Sequence, residues 1–102
     1  MRLGAGTVVA ITGASSGIGQ ELAFQFSARG CAVALAARRV DLIEQHATAI
    51  RARGGRAIAV GTDVSIRSDM DRFFQAAVRE FGRLDVVVNN AGISPAKGTL
   101  LE

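Results

Sequence analysis

One stretch constrains this chain more than any other: Thr12-Gly13-Ala14-Ser15-Ser16-Gly17-Ile18-Gly19. It follows a short apolar run, Thr7 to Ile11 (TVVAI), and opens a segment in which Ile18, Leu22 and Phe26 recur every fourth residue. A strand that turns at once into a helix needs glycine. Gly13 supplies the tight turn, Gly17 lets an anion approach the backbone without a Cβ in the way, and Gly19 lets the helix pack closely on the strand. The helix N-terminus then offers unpaired N–H groups to a phosphate, and Ser15 and Ser16 add hydroxyl donors. A plain glycine-rich connector has the same composition, but the placement between a strand and a helix favours the anion cradle. No Gly-Lys-Ser/Thr follows, so a P-loop fits poorly. Three residues separate Gly13 from Gly17, which also departs from Gly-x-Gly-x-x-Gly.

Beyond this turn, segment types alternate. Val33 to Ala37 (VALAA), Ala57 to Val60 (AIAV) and Leu84 to Val88 (LDVVV) are short, nearly continuous apolar runs, as expected of strands buried on both faces of a parallel sheet. Between them lie helical periods. Gly30 closes the first. The second runs from about Val40 to Arg53, with Ile43, Ala47 and Ile50 on one face and Gly54-Gly55 at its end. In the third, Met70, Phe73, Phe74, Ala77, Val78 and Phe81 form a stripe, with Ser65 or Ser68 as the expected cap and Gly82 as the stop. The order β-α-β-α-β-α-β predicts an α/β chain with right-handed crossovers: a Rossmann-like, doubly wound parallel sheet with strand order 3-2-1-4.

Composition narrows the function. At 102 residues the chain is one domain, and its 49% hydrophobic content excludes disorder. The apolar runs are about five residues long, against the roughly 20 of a membrane span, and no secretory signal is evident. A single cysteine, Cys31, excludes a disulfide scaffold and fits a reducing, cytoplasmic setting. The formal charge of +3 suits an anionic partner. Eleven of the 12 basic residues are arginine, scattered and without interleaved aromatics, so a phosphate-bearing small molecule fits better than nucleic acid.

Thr-Gly-x-x-x-Gly-x-Gly resembles the cofactor signature of the short-chain dehydrogenase/reductase family. Three further stretches agree: Phe81-Gly82-x-Leu84-Asp85, Asp63-Val64 after the third run, and Asn89-Asn90-Ala91-Gly92 after the fourth. The resemblance extends from about Thr7 to Pro95. It implies that Gly13, Ser15, Ser16, Gly17, Ile18 and Gly19 hold the pyrophosphate and adenosine ribose of a nicotinamide dinucleotide. Asp63 is implied to accept from the adenine amino group, Val64 to back the ring, and Asn90, Ala91 and Gly92 to line the nucleotide. Where an acidic residue would bind both ribose hydroxyls of NAD, this chain has Ala36-Ala37-Arg38-Arg39, and its next carboxylate is Asp41. Arginine suits a 2′-phosphate, so NADP(H) is expected over NAD(H), with Arg38 the main contact and Arg39 the weaker one.

The family's chemistry uses a Ser and a Tyr-x-x-x-Lys pair downstream of Asn-Asn-Ala-Gly. This chain has no tyrosine, and its only lysine, Lys97, has Ile93 four positions before it. No catalytic residue is therefore assigned. The expectation is the N-terminal cofactor-binding part (residues 1–102) of a single Rossmann-like domain whose catalytic half is absent, with strand four as an exposed edge. The longer enzyme would move hydride between nicotinamide and an alcohol or carbonyl substrate, as a homo-oligomer without membrane or nucleic-acid partners. The alternative is a stand-alone nucleotide-binding module without catalysis. A methyltransferase fits less well, because Ile11-Thr12 and not an acid precedes the glycine turn. His46 reads as a rim residue of a helix, Cys31 as a packed side chain, and Asp69 and Asp71 as first-turn charges favoured by the helix dipole.

Overall fold

The short apolar runs form the strands of one parallel sheet. The computed structural model describes residues 4–15 and 17–89. Its elements are β1 (Val8–Thr12), α1 (Gly17–Ala28), β2 (Ala32–Ala37), α2 (Val40–Ala52), β3 (Arg56–Gly61), α3 (Arg67–Phe81) and β4 (Val86–Asn89). All pairings are parallel and the order is β3-β2-β1-β4, the doubly wound arrangement expected.

The two faces of the sheet differ in side-chain size. Val9 and Ile11 of β1 align with Val33 and Leu35 of β2 and with Val86 and Val88 of β4. This branched layer packs under α1 and α2, against Ala23, Ile43, Ala47 and Ile50. On the opposite face the centre is small: Ala10, Ala34 and Ala36 lie under α3, whose Phe73 is fully buried beside Ala77, with the larger Ile58, Val60 and Val87 at the flanks. Alternation along each strand puts alternate side chains on opposite faces, and the alanine face leaves room for a phenylalanine from above.

The helix ends follow the glycines. After α1 the Gly30 N–H donates to the Ser27 carbonyl (2.9 Å) and the Cys31 N–H to the Phe26 carbonyl (3.1 Å), while Gly30 takes φ +94°. After α2, Gly54 and Gly55 repeat the pattern onto Arg51 and Ile50 (2.9 and 3.0 Å). Both are Schellman closures, which satisfy the last carbonyls and favour glycine at the left-handed position. Gly82 ends α3 in the same region at φ +86°.

Several expectations needed correction. Ile18 is not on the buried face of α1; it is 68% exposed, and the small residues Gly19 and Ala23 face the sheet instead. Close packing of a helix that follows a tight turn selects small residues, not the largest apolar one. Val78 is 45% exposed, so the stripe of α3 is narrower than its apolar pattern. Neither Ser65 nor Ser68 caps α3; Ile66 stands at the N-cap with no side-chain bond, because Ser65 is engaged by Asp63. Burial on both faces holds for β1 and β2, whereas β3 and β4, at the margins, are half-buried.

Asp85, just before β4, ties the start of the sheet together. Its Oδ2 accepts from the Val8 N–H (2.8 Å), its own N–H donates to the Val8 carbonyl (3.0 Å), and its Oδ1 accepts from Arg83 (2.7 and 3.0 Å). The Arg83 hydrogen bonds, followed by the Val8 N–H, hold the Asp85 carboxyl below its ordinary 3.8. Its stabilisation is therefore complete above pH 3.8 and disappears as pH falls through the lowered folded value. Asp85→Ala leaves the buried Val8 N–H without that acceptor, and a loss of about 1–3 kcal/mol is expected from the urea midpoint at neutral pH. The gap between the two proteins should narrow in acid.

Candidate functional site

All four strands end at one edge of the sheet, and the residues singled out from the sequence gather there. At the end of β1, Thr12 is fully buried and its hydroxyl lies 3.0 Å from Asn89 Oδ1 and 3.4 Å from the Val88 carbonyl. This bond joins the carboxyl ends of β1 and β4, the two strands from which the chain departs in opposite directions. Open α/β sheets bind ligands at such a switch point.

The glycine turn leaves from there. Gly13 takes φ +65°, which favours glycine. The next residue, Ala14, is buried and donates its N–H to the Ala36 carbonyl at the end of β2 (3.1 Å), fixing the turn over the sheet edge. Ser15 is half-buried, and Ser16 lies outside the described residues. Helix α1 begins at Gly17 with no acidic residue in its first turn, so nothing there opposes an anion at its N-terminus. A Cβ built on Gly17 meets no atom within 4 Å among the described residues, and its φ is not in the left-handed region. Gly19 is buried, as close helix–strand packing requires.

The ends of β2 and β3 carry the charged part of the site. Arg38 and Asp63 meet across the gap, Nη2 to Oδ2 at 3.2 Å, with Arg38 75% and Asp63 26% exposed. Asp63 is the better held: its Oδ1 accepts from the Ser65 N–H (3.0 Å) and hydroxyl (2.6 Å), and its own N–H donates to Asp69 Oδ2 (2.9 Å). Asp69 is in turn paired with Arg72 (2.8 Å). The Ser65 bonds, then Arg38, hold the Asp63 carboxyl below its ordinary 3.8. Val64 stands beside it, 42% exposed. Arg39 turns the other way, onto Asp41, with contacts of 3.2 and 3.3 Å. Asn90, Ala91 and Gly92 lie outside the described residues.

Thr12, Asn89, Ser65 and Asp69 organise this edge, yet no site role was read for them. A serine two residues after an aspartate is an Asx-turn signal, so Ser65 was legible locally. The Thr12–Asn89 bond spans 77 positions and only the sheet topology brings it about. His46 and Cys31 lie away from this edge. His46 meets the edge of the Phe24 ring (centroids 6.2 Å apart), its Nε2 has no partner among the described residues, and burial lowers its pKa. Cys31 is buried, and burial raises its thiol pKa. Among the described residues there is no group of metal-ligating side chains, and no helix is long and apolar enough to cross a membrane.

A parallel sheet in this order, with a glycine turn at its switch point, is a Rossmann-like α/β fold. The family model for short chain dehydrogenases matches residues 7–101, and the chain belongs to the short-chain dehydrogenase/reductase family. An 11-beta-hydroxysteroid dehydrogenase-like protein (4A) of Arabidopsis thaliana is 48% identical over 93 residues, which are 90% of this chain and 31% of that protein. The crystal structure of a hydroxysteroid dehydrogenase from Escherichia coli superposes with a TM-score of 0.84 at 32% identity, covering 94% of this chain and 40% of the other. A metagenomic short-chain oxidoreductase solved in complex with NADP gives 0.81 at 36% identity, covering 90% and 42%. The chain thus spans about a third of the length of the curated relatives it matches.

The causes at Asp63 are testable. Ser65→Ala and Arg38→Ala should each raise the Asp63 pKa towards its ordinary value, because both side chains hold it down. Carboxyl-carbon NMR titration of the variants reads this directly.

Proposed function

We propose that residues 1–102 are the nucleotide-binding part of an oxidoreductase that uses NADP(H) in preference to NAD(H). In this reading the longer enzyme moves hydride between the nicotinamide and an alcohol or carbonyl substrate. The observation that carries it is Gly17. Among the described residues, neither its backbone conformation nor a neighbouring atom demands glycine there. A glycine there suits an anion lying against the first turn of α1.

The residues of the edge suit such a ligand. Gly13, Ser15, Ser16, Gly17, Ile18 and Gly19 would hold the pyrophosphate and adenosine ribose, with helix N–H groups and serine hydroxyls as donors. Asp63, acceptor-only when ionised, would receive the adenine amino group, and the exposed Val64 side chain would cover the ring. Asn90, Ala91 and Gly92 would line the nucleotide. Arg38, exposed at the end of β2 with no acid in its place, would take the 2′-phosphate through its forked donors. Arg39 is the lesser contact, since Asp41 holds it through two hydrogen bonds where Asp63 holds Arg38 through one. When bound, the nicotinamide supplies the hydride acceptor or donor. The chain has no tyrosine to move the matching proton, so turnover needs the family's Tyr-x-x-x-Lys from the longer protein. The buried lone cysteine supports a reducing, cytoplasmic setting, and the family resemblance supports a homo-oligomeric longer form.

Titration of the chain with NADPH and NADH, followed by nicotinamide fluorescence, tests the reading. NADPH should bind about tenfold or more tightly than NADH, as one charge-assisted contact of about 1.5–3 kcal/mol implies. Arg38→Ala should remove most of that difference. A folded chain that binds neither cofactor would overturn the reading. Gly17→Ala should weaken NADPH binding by roughly tenfold or more, the equivalent of about 1.4 kcal/mol. The same change should leave the urea midpoint unchanged or slightly raised, since the new methyl group meets no atom among the described residues and the unfolded chain loses entropy.

A further inference from the structure

The Arg38–Asp63 pair joins two unequal partners. The two Ser65 bonds hold the Asp63 carboxylate and Asp69 holds its backbone N–H, so the carboxylate has a set position. Arg38 is 75% exposed, and its guanidinium has no second acceptor among the described residues. With Oδ1 occupied twice by Ser65, Oδ2 is the carboxylate oxygen that faces the edge, and Arg38 lies on it at 3.2 Å. The carboxylate is the post and the guanidinium the arm.

We propose that Asp63 is a specificity residue for the phosphorylated end of the cofactor, acting through Arg38: its carboxylate competes with the 2′-phosphate for the same guanidinium. This rests on the reading above that Arg38 receives that phosphate. A forked, bidentate contact with phosphate requires Arg38 to turn its donors away from Oδ2. The carboxylate left behind then stands near a second anion and opposes it. A cofactor with a free 2′-hydroxyl asks nothing of Arg38 and leaves the pair standing. The penalty therefore falls on the phosphorylated cofactor alone, and Asp63 moderates a preference that Arg38 creates.

Adenosine 2′,5′-bisphosphate and 5′-AMP isolate this effect. Both carry the adenine and the 5′-phosphate, so any change in those contacts cancels in the ratio of their affinities. Calorimetry on the wild-type chain, Asp63→Asn, Arg38→Ala and the double variant is the measurement. Asp63→Asn should raise the preference for the bisphosphate twofold to fivefold, the range that an exposed ion pair of about 0.4–1 kcal/mol represents at 1.4 kcal/mol per tenfold. The rise should shrink at high salt. With Arg38 already replaced by alanine, Asp63→Asn should move the preference by less than half as much on a logarithmic scale. Asp63→Ser, the second neutral variant, should shift the preference in the same direction and serves if the asparagine variant does not fold. An unchanged or lowered preference in a folded neutral variant overturns the proposal, and so does an equal rise without Arg38. A wild-type preference near one that ignores Arg38→Ala overturns the cofactor reading itself, and the competition with it.

Discussion

Everything in this fold hangs on β1. It is the strand with a neighbour on both sides whose two partners come from opposite directions of the winding, and every one of its residues is buried. Its start is clamped by the Asp85 carboxylate on the Val8 N–H, and its end by the Thr12 hydroxyl on Asn89. Between these points the ladder fixes register: Val9 and Ile11 must face α1 and α2, and Ala10 must face Phe73 of α3. A slip of one residue would exchange the branched and the small face. The glycine turn lies where it does because β1 ends where it does.

The site is a consequence of parallel pairing. Parallel strands all end at the same edge, so residues far apart in sequence come together without any local signal. Arg38 follows β2 and Asp63 follows β3, and pairing of those strands places them 3.2 Å apart. The same edge receives the N-terminus of α1, whose dipole favours an anion. A cationic arm, a fixed carboxylate and a helix N-terminus follow the ends of three different strands, β2, β3 and β1.

The fold was largely legible in the chain. Continuous apolar runs marked the buried strands, and glycines marked where helices stop, because only glycine meets the left-handed closing turn at no cost. What misled was the size of apolar residues. Ile18 continued the period of α1 and yet points outward, since a helix emerging from a tight turn lies too close to the sheet for a branched side chain. Ser65 had the chemistry of a helix cap, but the neighbouring Asp63 carboxylate engages it first. Local pattern cannot rank such competitors, because their geometries depend on where β3 delivers the chain.

By itself, then, the sequence determined the order of elements, the glycine turn and the presence of arginine where an acid might stand. These depend on backbone conformation and side-chain type, which are local properties. The tertiary structure decided what touches what: that Asp63 holds Arg38, that Arg39 goes to Asp41, that Thr12 reaches Asn89, and that Asp85 closes the start of β1. All but the Arg39–Asp41 contact join residues from separate strands or their ends, and sheet pairing alone sets those distances.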